Sequence, residues 1–409
     1  MIDYYETKTN PITKKMVWEA YKKVKKNGGS AGIDSQSLDC YAENLQGNLY
    51  KLWNRLASGS YFPSPVREVK IPKKAGGYRS LGIPTVEDRI AQQVMKSYLE
   101  PKVDMTFHPD SFGYRQGKSA HDAIDLAYKR CWEYRWVVDL DIKGFFDNLD
   151  HELMIRGLEY YTKEKWGVMY VKRWLNAGIL NEDMIFIDRD RGTPQGGVIS
   201  PLLANIYLHF TFDKWMGKHY PGIRFERYCD DIVIHCTSQA QAEYIKGKVA
   251  GRFNDCKLEL NESKTHVVYC KNQFRRERHK NVSFNFLGYS FRPRIWMTKQ
   301  GTKLFFTPCM SQQAKKAVRD KIKSLALYRY RVSVQDLAKV LNPKLRGWIN
   351  YYCKFNKWST SELWVWINLK IAKWLKDSRG FSVKRAFKWL RGVYKTQPNL
   401  FVHWQLSRP

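Results

Sequence analysis

The chain has 409 residues, 44% of them hydrophobic, which is enough for a sizeable core and two or three domains and too apolar for a disordered chain. Its net charge of +31 points to a polyanionic partner, RNA or DNA, rather than to solubility alone. The excess is concentrated: residues 311–409 hold 22 Lys and Arg against only Asp320, Asp336, Glu362 and Asp377, together with seven of the 15 tryptophans. Basic side chains interleaved with aromatics suit phosphate contact plus stacking on bases. Eight cysteines are scattered without a CxxC pair, so neither a zinc site nor a disulfide framework is expected, and the thiols should be reduced. The first residues, MIDYYETKTN, lack a signal peptide's apolar run, and no stretch approaches ~18 apolar residues. A soluble, cytoplasmic protein with no membrane partner is the expectation.

Residues 11–60 read as helices. One carries Trp18, Tyr21 and Val24 at helical spacing and ends at Asn27-Gly28-Gly29; a second covers Leu38 to Ala57. In PSPVREVKIPKKAGGYRSLGIPTVED (Pro63 to Asp88), Val66 to Ile71 and Tyr78 to Ile83 read as two strands joined by a basic glycine turn. Lys73, Lys74 and Arg79 near that turn can neutralise a triphosphate or stand as a solvated loop. A helix over 87–107 follows, then SFGYRQGKSAHDAI (Ser111 to Ile124), a glycine-containing loop with Arg115 and Lys118 ahead of another helix. His121 reads as a capping or packing residue.

Trp136 to Ile142 is an apolar strand interrupted by Asp139 and Asp141, which share one face. Acids are not placed in such a strand without a partner, because an unpaired interior charge is costly. Gly144-Phe145-Phe146 then turns the chain into a helix beginning near Asp150. The stretch RGTPQGGVISPLLANIYLH (Arg191 to His209) sets a Gly- and Pro-rich turn, with Gln195 and Gly196, before an apolar helix starting near Ser200-Pro201. Glu226 to His235, ERYCDDIVIH, has two β-prone runs around an acidic tip, the pattern of a hairpin. Adjacent carboxylates at a tip repel one another. A divalent cation with oxygen ligands removes that penalty, whereas an isolated Asp-Asp pair is more often a solvated turn. One carboxylate on the earlier strand and two on the tip make the ligand set of a two-metal site, and this favours the metal.

Further on, Ala240 to Phe253 reads as a helix, Leu258 to Tyr269 as strand-turn-strand bearing Lys264, and Phe284 to Phe291 as a β pair. From Ser311 the pattern is helical: 312–326, 334–352, 362–376 and 383–394. Lys370, Lys373 and Lys376 form a basic stripe beside Leu363, Ile367 and Trp374.

Taken together, DIKGFFDNLDH, RGTPQGGVISPLLANIYLH, YCDD, the Lys264 strand, FLGYSF and GWINYY (Gly347 to Tyr352) resemble, in order and spacing, a bacterial group II intron reverse transcriptase, or intron-encoded maturase. The resemblance runs from about residue 30 to the carboxy terminus. It implies an α/β right-hand polymerase: a helical extension over 1–60, fingers and palm with an antiparallel sheet over 61–305, and a helical thumb or maturase domain over 306–409. It also implies two Mg2+ ions, for which Mn2+ can substitute, held by Asp141, the Ile142 carbonyl, Asp230 and Asp231. Asp139 would then support from the same face. Phe146 would exclude a ribose 2′-hydroxyl, and Lys73, Arg79, Gln195 and Gly196 would face the dNTP. Lys264 would donate a proton to pyrophosphate. Arg115, Tyr228, Gly288 and the lysine stripe 370/373/376 would contact the RNA template, the DNA or RNA primer, their duplex and an intron RNA.

Two features depart from the family. Cys229 stands where the family usually has Ala, and the chain ends without the paired cysteines and His-Asn-His pattern of an endonuclease, so target-DNA nicking is not expected. The reading that follows is an RNA-directed DNA polymerase that assists splicing. The alternatives are an RNA-binding splicing cofactor that does not need its polymerase site, or a retron, defence, CRISPR-associated or domesticated reverse transcriptase.

Overall fold

The computed structural model describes residues 9–72, 77–298 and 301–409. Its amino-terminal helices are α1 (Lys14–Asn27), α2 (Leu38–Glu43) and α3 (Leu45–Ser58). Thr13 accepts from the Met16 amide at the start of α1, and Gly28, at φ +66°, ends it where the Asn-Gly-Gly run predicts. The single helix expected over 38–57 is instead broken at Asn44, which sits at φ −121°, ψ 50°. Asn competes for its own backbone and prefers helix ends to helix interiors.

Strands β1 (Val66–Pro72) and β2 (Tyr78–Ile83) pair antiparallel, with Ile71 opposite Arg79. Lys73 and Lys74 lie outside the described residues. Next come α4 (Val86–Asp104), capped by Thr85, then α5 (Ala120–Glu133), β3 (Trp136–Asp141), a single turn α6 (Phe145–Asn148) and α7 (His151–Tyr161). Asp150 caps α7 by accepting from the Leu153 amide, which fixes the helix start the sequence indicates. Helix α8 (Lys165–Leu175) and the two-residue strands β4 (Ile179–Leu180) and β5 (Phe186–Ile187) were not anticipated.

Helix α9 (Ser200–Leu208) runs through a π-helical turn, His209–Asp213, into α10 (Lys214–His219). The hairpin β6 (Arg224–Tyr228) and β7 (Asp231–Cys236) precedes α11 (Gln239–Asp255). The chain continues with β8 (His266–Tyr269), β9 (Phe284–Phe286), β10 (Tyr289–Thr298) and β11 (Gly301–Met310). It closes with α12 (Gln312–Ser324), α13 (Val334–Tyr352), α14 (Ser361–Arg379) and α15 (Val383–Thr396).

Two compact units emerge. The first comprises residues up to 119, 140–234 and 243–265. In it, a sheet of order β2-β1-β4-β5 has β1 antiparallel to β2 and parallel to β4. Helix α1 packs on α3 and α4, and Leu52, Leu56, Ile90, Leu99, Leu158 and Leu203 are buried in its core. Of the strand-turn-strand expected over 258–269, the first strand is reduced to a single bridge, Ile142 with Leu260, because the Asn261 amide turns back onto the Asp141 carbonyl at 2.8 Å.

The second unit comprises 120–139, 235–242 and 266–409. Here β3 pairs antiparallel with β8, Trp136 opposite Tyr269 and Asp139 opposite His266. A second sheet has the order β11-β10-β9, its β10–β11 ribbon in register from Tyr289 opposite Met310 to Thr298 opposite Gly301. The four carboxy-terminal helices close over Leu341, Leu345, Trp364, Trp374, Leu375 and Trp404. His121 packs in this unit as expected, stacked on Tyr351 and bonded to its carbonyl at 2.9 Å. Among the described residues no helix is long and apolar enough to cross a membrane.

Candidate active site

The site is built in the first unit, where the end of β3 and the β6–β7 turn supply carboxylates. Asp141 is the last residue of β3 and Asp231 the first of β7, with Cys229 and Asp230 between the hairpin strands. Cys229 takes φ +59°, a left-handed conformation that a non-glycine residue adopts only when its surroundings impose it. The imposing groups can be named. The Arg227 guanidinium is buried beneath the turn and bonds the Asp213 carboxylate through Nε at 2.8 Å and Nη2 at 2.6 Å. Its Nη1 donates to Asn205 Oδ1 at 3.0 Å and to the Cys229 carbonyl at 3.3 Å. Asn205 in turn donates to the Gly113 carbonyl at 2.7 Å.

The loop 110–114 lies along the same hairpin. The Phe112 amide donates to the Arg227 carbonyl at 2.8 Å, and the Arg227 amide to the Asp110 carbonyl at 3.0 Å. A Cβ on Gly113 would come within 2.5 Å of the Cys229 amide, so only glycine permits this approach. Tyr114, at φ +58°, follows directly; burial, with Cys229, Asp230 and Tyr228 facing it, pushes its hydroxyl up to about 12. Sequence reading assigned no role to Asp213, Asn205, Gly113 or Tyr114. The glycine of SFGY was the only signal that a close backbone approach occurs there.

Burial raises the Asp230 carboxyl above its ordinary value, and the charge of Asp141 adds to the rise against a lowering hydrogen bond from Cys229 and the charge of Arg79. The Cys229 thiol is itself pushed well up by burial and by Asp230, and so stays protonated to donate to that carboxylate. Asp141 and Asp230 are therefore close enough to repel one another, while Arg79 on β2 is close enough to offset part of it. Lys264 answers the other carboxylate: its Nζ stands 3.1 Å from Asp141 Oδ2.

Among the described residues no three His, Cys, Asp or Glu side chains converge as a ready-made metal cage. The donor chemistry nonetheless fits a hard divalent cation. Asp141, Asp230, Asp231 and the Ile142 carbonyl are oxygen donors, and the repulsion between Asp141 and Asp230 is what such a cation removes.

The Gly-rich turn is laid against both flanks of this site. The Thr193 amide donates to the Phe146 carbonyl at 2.8 Å and the Gly192 amide to the Leu149 carbonyl at 2.7 Å. On the other side the Gly82 amide of β2 donates to the Gln195 carbonyl at 3.0 Å. A Cβ at Gly192 or Gly196 would lie 2.7 Å from the Asp147 or Gly82 carbonyl oxygen, respectively, which explains both glycines. Phe146, Gln195, Gly196 and the strand bearing Arg79 are thereby brought together.

Arg115 departs from expectation. Its guanidinium is spent internally, on the Asp104 carboxylate at 2.7 Å and on the carbonyls of Asp104, His108 and Ser111, so it braces the loop instead of reaching a nucleic acid. Tyr228 is half-buried at the hairpin end. In the second unit, Gly288 takes φ +80° in the β9–β10 turn, with Tyr352 against it, while Lys373 and Lys376 on α14 are exposed and Lys370 lies over the Trp366 ring.

Residues 71–291 match the profile of the reverse transcriptases (RNA-dependent DNA polymerases), and residues 315–394 that of the group II intron maturase-specific domain. The first match spans more than half of the chain, so the chain belongs to the reverse transcriptase family, with the right-hand polymerase fold that family shares. With the second match it is an RNA-directed DNA polymerase of the group II intron, maturase-bearing kind. Protein YkfC of Escherichia coli is 31% identical over 302 residues, covering 64% of this chain and 76% of that protein. The group II intron-encoded protein LtrA of Lactococcus lactis is 37% identical over 200 residues, covering 48% of this chain and 33% of LtrA. A structure of telomerase from Candida albicans with a fragment of telomeric RNA covers 90% of this chain and 68% of its own at 11% identity and a TM-score of 0.48, too distant to bear on function.

Proposed function

We propose that the chain extends a primer 3′-hydroxyl with dNTPs on an RNA template, and that Asp141, Asp230 and Asp231 with the Ile142 carbonyl hold two Mg2+ ions. The observation that carries this reading is the placement of Asp141 at the end of β3 and of Asp230 and Asp231 at the β6–β7 turn, with Lys264 3.1 Å from Asp141. When bound, the two metals would supply Lewis-acid activation of the 3′-hydroxyl and charge neutralisation on the triphosphate.

The chain's own residues do the rest. Arg227, through the Cys229 carbonyl, keeps Asp230 at the turn. Arg79 offers the triphosphate a cation, and Phe146, fixed by the Thr193 contact at its carbonyl, stands to reject a ribose 2′-hydroxyl. Lys264, ion-paired to Asp141, holds a proton on Nζ for the departing pyrophosphate and must leave Asp141 to deliver it. Splicing assistance through an intron RNA is supported by the maturase-specific match and by the basic, tryptophan-rich stretch after 311.

The test is dNTP incorporation on an RNA template–primer with Mg2+, wild type against Asp230→Ala. Synthesis abolished by the substitution supports the polymerase and its metal site together. Tight RNA binding without extension by the wild type would leave the splicing-cofactor reading standing instead.

A further inference from the structure

A cavity of about 880 Å³ opens in the first unit between α8, the loop before β1 and the β4–β5 hairpin, and none of the catalytic residues lines it. Its walls mix apolar and charged side chains and include two aromatic rings, Phe62 and Phe186, which are 63% and 52% exposed. Two phenylalanines left this open, one of them covering a glycine and the other backed by Arg173, offer ring faces to solvent rather than to the core. The Phe186 ring lies where a side chain on Gly178 would overlap it, so this glycine is what lets the hairpin lay the ring into the cavity. Four cations, Lys163, Lys165, Lys172 and Arg173, line the cavity against a single acid, Glu159.

Arg173 is fixed. It donates to the Gly59 and Tyr61 carbonyls and lies 3.8 Å over the Phe62 ring, which prepares that ring and places a permanent charge behind it. The three lysines are exposed. Lys165 and Lys172 are seven residues apart on one face of α8, about 10 Å at a rise of 1.5 Å per residue. That is too far for one phosphate to bridge and suited to two separate phosphates of one strand.

We infer that this cavity binds a single-stranded RNA segment, its unpaired bases stacked on Phe62 and Phe186 and its phosphates on Lys163, Lys165 and Lys172. Exposed rings beside lysines select an unpaired strand, because a duplex keeps its base faces covered. An acidic peptide would answer the lysines and leave the rings unused. The assignment rests on the reading of the chain as an RNA-dependent enzyme, and it extends that reading to RNA held outside the polymerase site.

The experiment titrates full-length protein, its polymerase site filled with a saturating hairpin template–primer, with a fluorescent single-stranded RNA of roughly ten nucleotides, within the usual range for single-strand sites. Lys163→Gln, Lys165→Gln and Lys172→Gln together should weaken binding at least tenfold. They should also reduce the slope of log K against log salt by about 2, at ~0.7 per phosphate contact on a single strand. Phe186→Ala, an exposed change that spares the fold, should cost at least fivefold and remove the photocrosslink from a 4-thiouridine-bearing RNA to this hairpin. Primer extension by both variants should stay within twofold of wild type.

Unchanged affinity and slope would overturn the site, as would extension falling in parallel with binding, since the residues would then serve the polymerase site itself. Displacement of the RNA by an aspartate-rich peptide as readily as by unlabelled RNA would overturn it in favour of a protein partner. A wild type that binds through these residues yet extends no primer would refute the polymerase reading and leave the cavity assignment standing.

Discussion

The hairpin turn at Cys229-Asp230 and the helices after residue 311 are both rich in charge, and they handle it in opposite ways. Beneath the turn, Arg227 and Asp213 have no exposed side-chain surface, and every contact of the guanidinium is made to a named oxygen. In the carboxy-terminal helices the core is leucine and tryptophan, and the ion pairs stand at the surface, Lys339 with Asp336 and Arg319 with Glu362. Buried polar geometry is sharp because each missing partner leaves an uncompensated charge, whereas solvated charges are individually weak and interchangeable. The proposed catalysis rests on the first design and the proposed backbone binding on the second. Single substitutions should therefore be severe near the turn and mild, but additive, on the helices.

The largest effect belongs to Asp230→Ala. It should lower primer extension about a thousandfold or more, because Lewis-acid stabilisation is worth several kcal/mol and 1.36 kcal/mol is a factor of ten. RNA affinity measured in the absence of dNTP should barely move. Next is Arg227→Met, which leaves Asp213 buried with only His209 beside it and should cost about 3–5 kcal/mol in urea unfolding. The double variant Arg227→Met, Asp213→Leu should recover most of that stability, since an apolar pair of similar volume is often neutral there. It should not recover extension, because nothing then holds the Cys229 carbonyl. A double variant as active as wild type would reduce the pair to packing.

Acid should act on the same pair. Burial alone would raise the Asp213 carboxyl, but the charge of Arg227 and its hydrogen bonds, with His209 3.5 Å away, outweigh it and hold the carboxyl below its ordinary value. With the native value depressed, the contribution to stability is complete above the unfolded value of about 3.9 and is lost as pH falls through the native one. Urea midpoints taken downward from pH 5 should fall more steeply for wild type than for the double variant.

Much of this was legible where local chemistry decides. Thr85, Asp150, Ser311, Ser333 and Ser382 all cap helices, and the helix over 334–352 begins and ends where its periodicity predicts. Legibility failed where structure depends on partners far along the chain. Strands β4 and β5 have two residues each, too few to show alternation, and exist because the Val66 amide bonds the Gly178 carbonyl and β4 lies beside β1. Of the β9–β10–β11 sheet only Phe284 to Phe291 is expected from sequence; the run of β10 on to Thr298 and the whole of β11 are not, and Pro293 and Pro308, residues that weigh against a strand, lie within them. In the site, the acidic tip was plain in sequence. Arg227 was not, since nothing local tells a buried, paired arginine from a solvated one when its partner, Asp213, lies on a π-helical turn.

Lys264 sits between the two designs, exposed like the helix lysines yet paired to a site carboxylate. As the proton donor to pyrophosphate, its replacement by Ala should lower kcat about a hundredfold, the lower end of general acid–base contributions, with the affinity for template–primer unchanged. A merely structural lysine would lower stability and leave the kcat of the folded enzyme in place.

The smallest effects are expected on α14. Each of Lys370→Gln, Lys373→Gln and Lys376→Gln should weaken binding of an RNA–DNA duplex only a few fold and lower the salt slope by about 0.9, the value per phosphate on a duplex. The three losses should add, because these side chains share no partner, and extension at saturating template–primer should not change. Lys370 is the sharpest case, since its Nζ already lies 5.2 Å from the Trp366 ring centroid and a duplex phosphate must compete with that contact. Its slope change should be the least of the three. If it were the greatest, the tryptophan would be presenting the lysine to the backbone rather than restraining it, and the stripe would share the pre-organised character of the hairpin.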